Sequence, residues 1–242
     1  MATPTSGKKP STRHVTKSWQ TPDTPATLAV ARFTDPMDPS LEHHVANDRL
    51  VASDPRLAAV VERQGRPAVF RRPASFATLV LLILEQQVSL SSAAAAYRRL
   101  AEMTPVEPAP VLELDDATLR AIGFSRQKMG YVRALATAEV SGDIDIDGLA
   151  HLADDEARAS LLALPGIGPW TADVFLLSSL GRPDIWPTGD RALQVGAAEV
   201  LGLSGPPSAV ELEAIGQPWR PLRSTAAQLI WHEYLARRGR PT

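Results

Sequence analysis

LLALPGIGPWTA, residues 161–172, is the stretch of sequence that decides the fold. The pattern predicts a helix, a turn through Pro165 and Gly166, and a second helix that begins at Pro169. Gly168 permits a positive φ in this turn. Two helices joined this tightly expose backbone N–H groups, and such groups bind a phosphate without reading sequence. The same pattern also fits an ordinary turn between two helices, so the stretch alone leaves both interpretations open.

Helical spacing of apolar residues extends to both sides of this stretch, and alternating strand patterns are rare. Residues 74–103 are predicted to form the strongest helix. Its first half is apolar almost all round, which is typical of the buried centre of a bundle. A Pro-rich break follows at 105–110. Further helices are predicted at 41–64 with a break at Asp54-Pro55, and at 115–121, 125–140, 147–152, 154–163, 169–180, 189–202, 207–215 and 221–238. The predicted fold is all-α, with two helical lobes around a central buried helix.

The chain divides into a tail and one domain. Residues 1–38 are rich in Pro, Thr, Ser and Lys and lack apolar periodicity, so they are predicted to be a disordered or loosely attached tail. The helical domain is predicted at 39–242. The 242 residues include no cysteine, which excludes disulfides, cysteine-ligated clusters and a thiol nucleophile. Neither a membrane span nor a signal peptide is recognisable, so we expect an intracellular protein.

The charges are distributed unevenly although the formal net charge is only −2. Residues 102–158 carry twelve acidic and five basic side chains. Residues 60–100 carry six arginines against two glutamates, and the chain from Trp219 onward carries five arginines against Glu233. If the basic segments meet in space, they form a phosphate-binding face.

A second motif gives the hairpin its context. Trp186-Pro-Thr-Gly-Asp190 follows about twenty residues after it and opens another helix. Hairpin, helix, Gly/Pro loop and Asp in this order resemble the helix-hairpin-helix (HhH-GPD) superfamily of DNA glycosylases, and specifically its 3-methyladenine DNA glycosylase II branch. The resemblance includes three further segments and covers about residues 40–238: Ile83–Ser89, Gly123–Lys128, and Pro218–Arg223 with Leu229–Trp231.

The resemblance implies a monofunctional glycosylase that extrudes an alkylated purine from the duplex and hydrolyses its N-glycosidic bond, leaving an abasic site. Asp190 matches the catalytic carboxylate, which stabilises positive charge on the sugar or activates water. An Asp at a helix start is also an ordinary N-cap. Trp170 stands where bifunctional relatives carry their Schiff-base lysine, so no lyase step is expected.

Pocket residues follow from the same resemblance. Trp170 and Trp231 match aromatics that stack on a cationic alkylpurine, although tryptophans in helices are usually core. Val174 stands where some relatives have a further aromatic, which suggests a wider or more selective pocket.

The resemblance also implies DNA contacts. Gln87 occupies the position of the wedge that fills the gap left by the extruded nucleotide, although it also fits a polar helix end. Further contacts are expected from Ser125 and Lys128, the latter equally typical of a solvated surface, and from the hairpin residues Pro165, Gly166, Ile167, Gly168 and Thr171. The hairpin carbonyls of Leu162, Leu164 and Ile167 match ligands of a structural Na⁺ or K⁺. No other cofactor is expected, and the histidines lack metal-ligand spacing.

Three alternatives to this interpretation stay open. The first is a glycosylase of the same fold for uracil, hypoxanthine or an oxidised purine. The second is a non-catalytic DNA-binding helix-hairpin-helix module, and the third is a purely structural helical protein. The expected partner is double-stranded DNA that contains damaged bases. The protein is expected to be a monomer in the cytoplasm, associated with the nucleoid.

Overall fold

Helices build the part of the chain that this computed structural model describes, residues 39–240, with side chains from His43 onward. The predicted all-α class is confirmed for these residues, and the predicted tail, 1–38, lies outside them. The helices are α1 (Pro39–Ser53), α2 (Pro55–Gln64), α3 (Phe76–Glu85), α4 (Leu90–Met103), α5 (Pro108–Glu113), α6 (Asp116–Ala121), α7 (Arg126–Ser141), α8 (Asp154–Leu162), α9 (Pro169–Ser178), α10 (Arg191–Leu201), α11 (Ala209–Gly216) and α12 (Arg223–Ala236), with short 3₁₀ turns at Gly148–His151 and Gln217–Trp219.

The long helix predicted over 74–103 is wrong as one element, because the chain turns between α3 and α4. Gln87 adopts a φ of 56° there, in the left-handed region that ends a right-handed helix. Ser89 then starts α4 as its N-cap and accepts a hydrogen bond from Ser92 N at 3.2 Å. Apolar periodicity continues through the turn, and it therefore hides the break.

The predicted Pro-rich break at 105–110 is also partly wrong. Helix α5 begins inside it, at Pro108. Proline is well suited to the first position of a helix, because its ring presets φ and its missing N–H would have no partner there.

Two hydrophobic cores divide the helices into two lobes, as predicted. The first lobe consists of α3–α9, and the second of α1, α2 and α10–α12. Helix α3 is buried along almost its whole length in the first lobe. Helix α9 joins the two, since Leu176 belongs to the first core and Leu177 to the second. Within residues 39–240, every helix is too short or too polar to cross a membrane.

A buried carboxylate fixes the start of α2. Asp54 is the N-cap, and its Oδ1 accepts a hydrogen bond from Arg56 N at 2.9 Å. Its Oδ2 accepts from Trp219 Nε1 at 3.0 Å. The guanidinium of Arg56 beside it, together with the Trp219 donor, lowers the pKa of Asp54 from 3.8 to about 2 against the opposing effect of burial. Asp54 therefore joins the start of α2 to the segment before α12.

We expect Asp54→Ala to lower the free energy of unfolding by about 1–3 kcal/mol at pH 7, because α2 loses its cap and the Trp219 N–H loses its acceptor. Asp54→Asn keeps an uncharged acceptor and should cost less. Because the folded pKa is below the unfolded one, the charge stabilises the protein fully above about pH 4, and this stabilisation disappears as the pH falls towards 2. Urea unfolding of the three proteins against pH measures both effects. Equal stability of wild type and Asp54→Ala at pH 7 would contradict this role.

Candidate active site

The hairpin between α8 and α9 has the conformation that its glycines and prolines predict, with one correction. The left-handed residue is Gly166, with a φ of 86°, whereas Gly168 has a φ of −93°. A Cβ atom at Gly166 would lie 2.1 Å from Cγ of Tyr131, so glycine is required both by φ and by space. At Gly168 no atom lies within 4 Å of that position. The positive φ expected at Gly168 therefore belongs to Gly166.

Backbone amides of the hairpin are available to an anion. Ile167 N donates to Leu164 O at 3.1 Å, which closes the turn. The amides of Gly166, Gly168 and Trp170 donate no hydrogen bond within the described part of the chain. The last two stand at the N-terminus of α9, where the helix dipole favours negative charge.

Asp190 lies where three helices meet. It is the N-cap of α10, and its Oδ1 accepts from Leu193 N at 2.6 Å. Trp231 of α12 donates its Nε1–H to the same oxygen at 3.0 Å. Trp170, in the first turn of α9, donates to Oδ2 at 2.6 Å. The N-cap and the predicted catalytic carboxylate are thus the same residue, and the structure brings it together with both predicted pocket tryptophans.

Packing beneath the 186–190 loop fixes its position. Trp186 is buried, and its Nε1–H donates to Leu212 O at 2.8 Å. Its ring packs edge-on against Trp219, with centroids 5.4 Å apart. A Cβ atom at Gly216 would lie 2.6 Å from Trp186 Nε1, so this glycine leaves room for the indole. Asp54, through Trp219, therefore also supports the loop that carries Asp190.

The start of α12 is held against the same loop. Arg223 pairs with Asp184 through two guanidinium nitrogens, at 2.8 and 3.0 Å. Ser224 Oγ accepts from Ile185 N at 2.9 Å and donates to Arg182 O at 2.6 Å. Farther along α12, Trp231 meets Phe70 edge-on with centroids 6.2 Å apart. These contacts set the position from which Trp231 reaches Asp190.

Four of the predicted site residues are buried, namely Leu164 and Ile167 of the hairpin, Thr171 and Val174. Val174 is 4% exposed and lies in the core of the first lobe, so the structure does not place it on the open side of the site. Thr171 is 1% exposed, and its Oγ1 accepts a hydrogen bond from Gln86 Nε2 at 3.0 Å. The side chain of Thr171 is therefore used inside the protein, and its contact with DNA stays a prediction.

The remaining predicted contacts lie near the hairpin or on α7. Gln87 is exposed at the α3–α4 turn. Ser125 is the N-cap of α7 and accepts from Lys128 N at 3.3 Å. Lys128 Nζ donates to Leu84 O at 2.7 Å and to Gln86 O at 3.0 Å, and burial lowers the pKa of this ammonium. The DNA contacts of these side chains stay predictions.

The sequence analysis did not single out several residues that lie near Gln87 or contact the hairpin. Val88 and Leu90, which follow the predicted wedge Gln87, are 46% and 54% exposed, which is unusual for such side chains. Gln86 and Tyr131 hold the hairpin. Only Gln86 had a signal, as a second glutamine beside the predicted wedge, whereas the others read as ordinary helix residues.

Comparison with known proteins finds both a matching family and similar solved structures. The model of the HhH-GPD superfamily of base excision DNA repair proteins matches residues 80–221. A putative DNA-3-methyladenine glycosylase of Bacillus subtilis, YfjP, is 26% identical over 199 residues, which are 78% of this chain and 69% of the relative.

Two solved structures are similar to this one. The 3-methyladenine DNA glycosylase Mag1 of Schizosaccharomyces pombe, solved with abasic DNA, matches with a TM-score of 0.71 and 25% identity over 77% of this chain and 94% of its own. A DNA-3-methyladenine glycosidase of Bacillus halodurans matches with a TM-score of 0.65 and 32% identity over 76% of this chain and 86% of its own.

We expect Gly166→Ala to destabilise the protein by at least about 1–2 kcal/mol, because an L-residue is strained at this φ and its Cβ displaces the Tyr131 ring. Gly168→Ala is the matched control, since its φ is negative and its Cβ meets open space. Thermal unfolding compares the two variants with wild type. If both variants unfold at the same temperature, the required glycine has been assigned wrongly.

Proposed function

The chain belongs to the HhH-GPD superfamily of base excision DNA repair proteins, and we propose from this membership that it is a monofunctional DNA glycosylase for alkylated purines such as 3-methyladenine. The observation that carries the proposal is the carboxylate of Asp190 between the indole N–H groups of Trp170 and Trp231. A structural helical protein has no need for this arrangement in a half-buried position. A non-catalytic DNA-binding module has no need for the carboxylate.

Asp190 supplies the charge that the reaction needs. As the bond between C1′ and the base nitrogen breaks, its electron pair leaves with the base and positive charge develops on the sugar. A carboxylate held by three donors is already oriented, and it stabilises that charge with little reorganisation. Water then adds its hydroxyl to C1′ and releases its proton to the carboxylate or to solvent. The products are the free base and an abasic site.

The tryptophans supply recognition in this proposal. Their N–H edges face Asp190, so a base stacked on either ring lies beside the carboxylate. An N3- or N7-alkylated purine is cationic, and the electron-rich face of an indole attracts a cation by about 0.5–2 kcal/mol. The same positive charge weakens the glycosidic bond, so the site needs no strong general acid.

Several features support simple hydrolysis and DNA binding. Trp170 offers no amine for a Schiff base. Lys128, the one lysine among residues 39–240, donates to two backbone carbonyls instead. The free hairpin amides support binding to a DNA phosphate. DNA is also the ligand in the Mag1 complex. We extend the proposal to damaged duplex DNA as the partner, a monomeric state, and a cytoplasmic location at the nucleoid.

The hairpin carbonyls also fit a monovalent cation. Leu164 O accepts one hydrogen bond, from Ile167 N, and keeps a second lone pair. The carbonyls of Leu162 and Ile167 accept none from the described residues. Bound there, a Na⁺ or K⁺ ion would neutralise the carbonyl dipoles next to a DNA phosphate.

We expect Asp190→Asn to abolish excision while DNA binding is largely retained, because the lost charge is needed mainly in the transition state. Base release from methylated duplex DNA, with the products identified by mass spectrometry, measures the first effect, and fluorescence anisotropy measures the second. The control is Asp115→Asn, an N-cap of α6 that accepts from Thr118 N and lies outside this site. Normal excision by Asp190→Asn would remove Asp190 from the reaction. If wild type releases no alkylated purine, a panel of uracil, hypoxanthine and oxidised bases decides whether another lesion is the substrate.

A second prediction separates the two functions of Trp231. Trp231→Phe keeps an aromatic face and loses the N–H donor, whereas Trp231→Leu loses both. We expect Trp231→Leu to decrease the single-turnover rate of excision of cationic 7-methylguanine about 2- to 30-fold more than Trp231→Phe does. For neutral hypoxanthine the two variants should differ much less. A similar ratio of Leu to Phe on both bases would show that cation–π attraction is not used.

A further inference from the structure

The turn that carries Gln87 is held by side chains from two other parts of the first lobe. Gln86, immediately before it, donates from Nε2 to Gly166 O at 2.8 Å and to Thr171 Oγ1 at 3.0 Å. Both acceptors belong to the hairpin region that presents the free amides. One side chain thus joins the turn to the hairpin over 80 residues of sequence.

Lys128 holds the same turn from α7. Its ammonium donates to Leu84 O and Gln86 O, two carbonyls at the end of α3. Carbonyls at a helix C-terminus lack helical partners and carry partial negative charge, so a cation is stabilising there. The contact fixes the peptide that precedes Gln87, whose φ of 56° is costly for a residue other than glycine.

Helix α7 contacts the hairpin as well. Tyr131, one turn after Lys128, fills the space in which a Cβ of Gly166 would stand. Helix α7 therefore contacts the Gln87 turn through Lys128 and the hairpin through Tyr131. The turn and the hairpin are fixed relative to each other directly by Gln86 and indirectly by α7.

We propose that Lys128 and Gln86 are positioning residues that hold the Gln87 turn at a set distance from the phosphate-binding hairpin. When the hairpin binds a DNA phosphate, Gln87 is then placed at the base to be extruded. This inference rests on the proposed glycosylase function. It differs from the prediction that Lys128 contacts DNA, because here Lys128 acts through the turn. Two of its three N–H donors are already used on carbonyls, and partial burial lowers its pKa.

The salt dependence of binding separates a positioning residue from a phosphate contact. Each phosphate contact that is lost reduces the slope of log K against log[salt] by about 0.9. We expect Lys128→Met to bind undamaged duplex with the slope and affinity of wild type. Arg126→Met is the matched control: it removes one exposed positive charge from the same end of α7 without touching the carbonyls.

Wedge insertion is measured separately, with a duplex that contains a tetrahydrofuran abasic-site analogue and 2-aminopurine in the opposite strand. At saturating protein, we expect Lys128→Met and Gln86→Leu to lose most of the fluorescence change. Gln87→Ala should lose it as well, whereas Arg126→Met should retain it. Their single-turnover excision should fall roughly ten- to a hundredfold with KM little changed, since a misplacement of about 1 Å can cost up to about a hundredfold. Lys128→Arg, which also offers several donors, should restore part of the signal.

The outcomes distinguish the possibilities. Circular dichroism first selects a temperature at which every variant is folded. A reduced salt slope for Lys128→Met would overturn the proposal in favour of a phosphate contact. The proposal would also be overturned if folded Lys128→Met and Gln86→Leu gave the full fluorescence change and the full excision rate. These residues would then contribute only to stability. If wild type excises no alkylated base, the proposed function fails, while the fluorescence measurement still tests the positioning.

Discussion

Three hydrogen bonds to one carboxylate determine where the helices around the site must lie. Asp190 accepts from its own helix at Leu193 N, from α9 through Trp170, and from α12 through Trp231. A half-buried carboxylate is costly unless donors surround it, and here the donors come from α9 of the first lobe and from α10 and α12 of the second. The same donors that offset its burial also fix its orientation, which the proposed catalytic role requires. Under that proposal, stability and chemistry depend on one set of contacts.

The rest of the second lobe maintains this meeting point. The 186–190 loop is fixed by the Trp186–Trp219 pair, and Trp219 is fixed in turn by Asp54 at the start of α2. Helix α12 is fixed at its start by Arg223 and Asp184. Residues distant in sequence thus hold Asp190 and Trp231 within hydrogen-bond distance of each other. A lobe built only from apolar contacts would allow small shifts that such distances do not tolerate.

Sequence alone predicted the all-α fold and the turn of the hairpin, because both depend on local signals: helical periodicity, and glycine and proline at a turn. The Asp190 site was expected only from the resemblance to the HhH-GPD superfamily, since a carboxylate that opens a helix is by itself an ordinary N-cap. The break between α3 and α4 was not predicted, because apolar spacing continues through it. Its local signal is Ser89, the N-cap of α4, and Gln86 and Lys128 hold the turn through tertiary hydrogen bonds. The need for a small residue at Gly166 likewise comes from the ring of Tyr131, a neighbour that is remote in sequence. The burial of Thr171 has the same origin, because its partner Gln86 comes from another helix.

The double use proposed for the two indoles, as donors to Asp190 and as stacking faces for the base, limits how this protein can diversify during evolution. Replacing Trp170 or Trp231 to suit another base would also remove a donor from Asp190, so a gain in recognition would be offset by a poorly oriented carboxylate. Lineages that acquire a new lesion preference are therefore expected to keep both tryptophans and to accumulate changes in the side chains around them. Relatives that differ in substrate would then share both tryptophans and differ at the other residues that line the site.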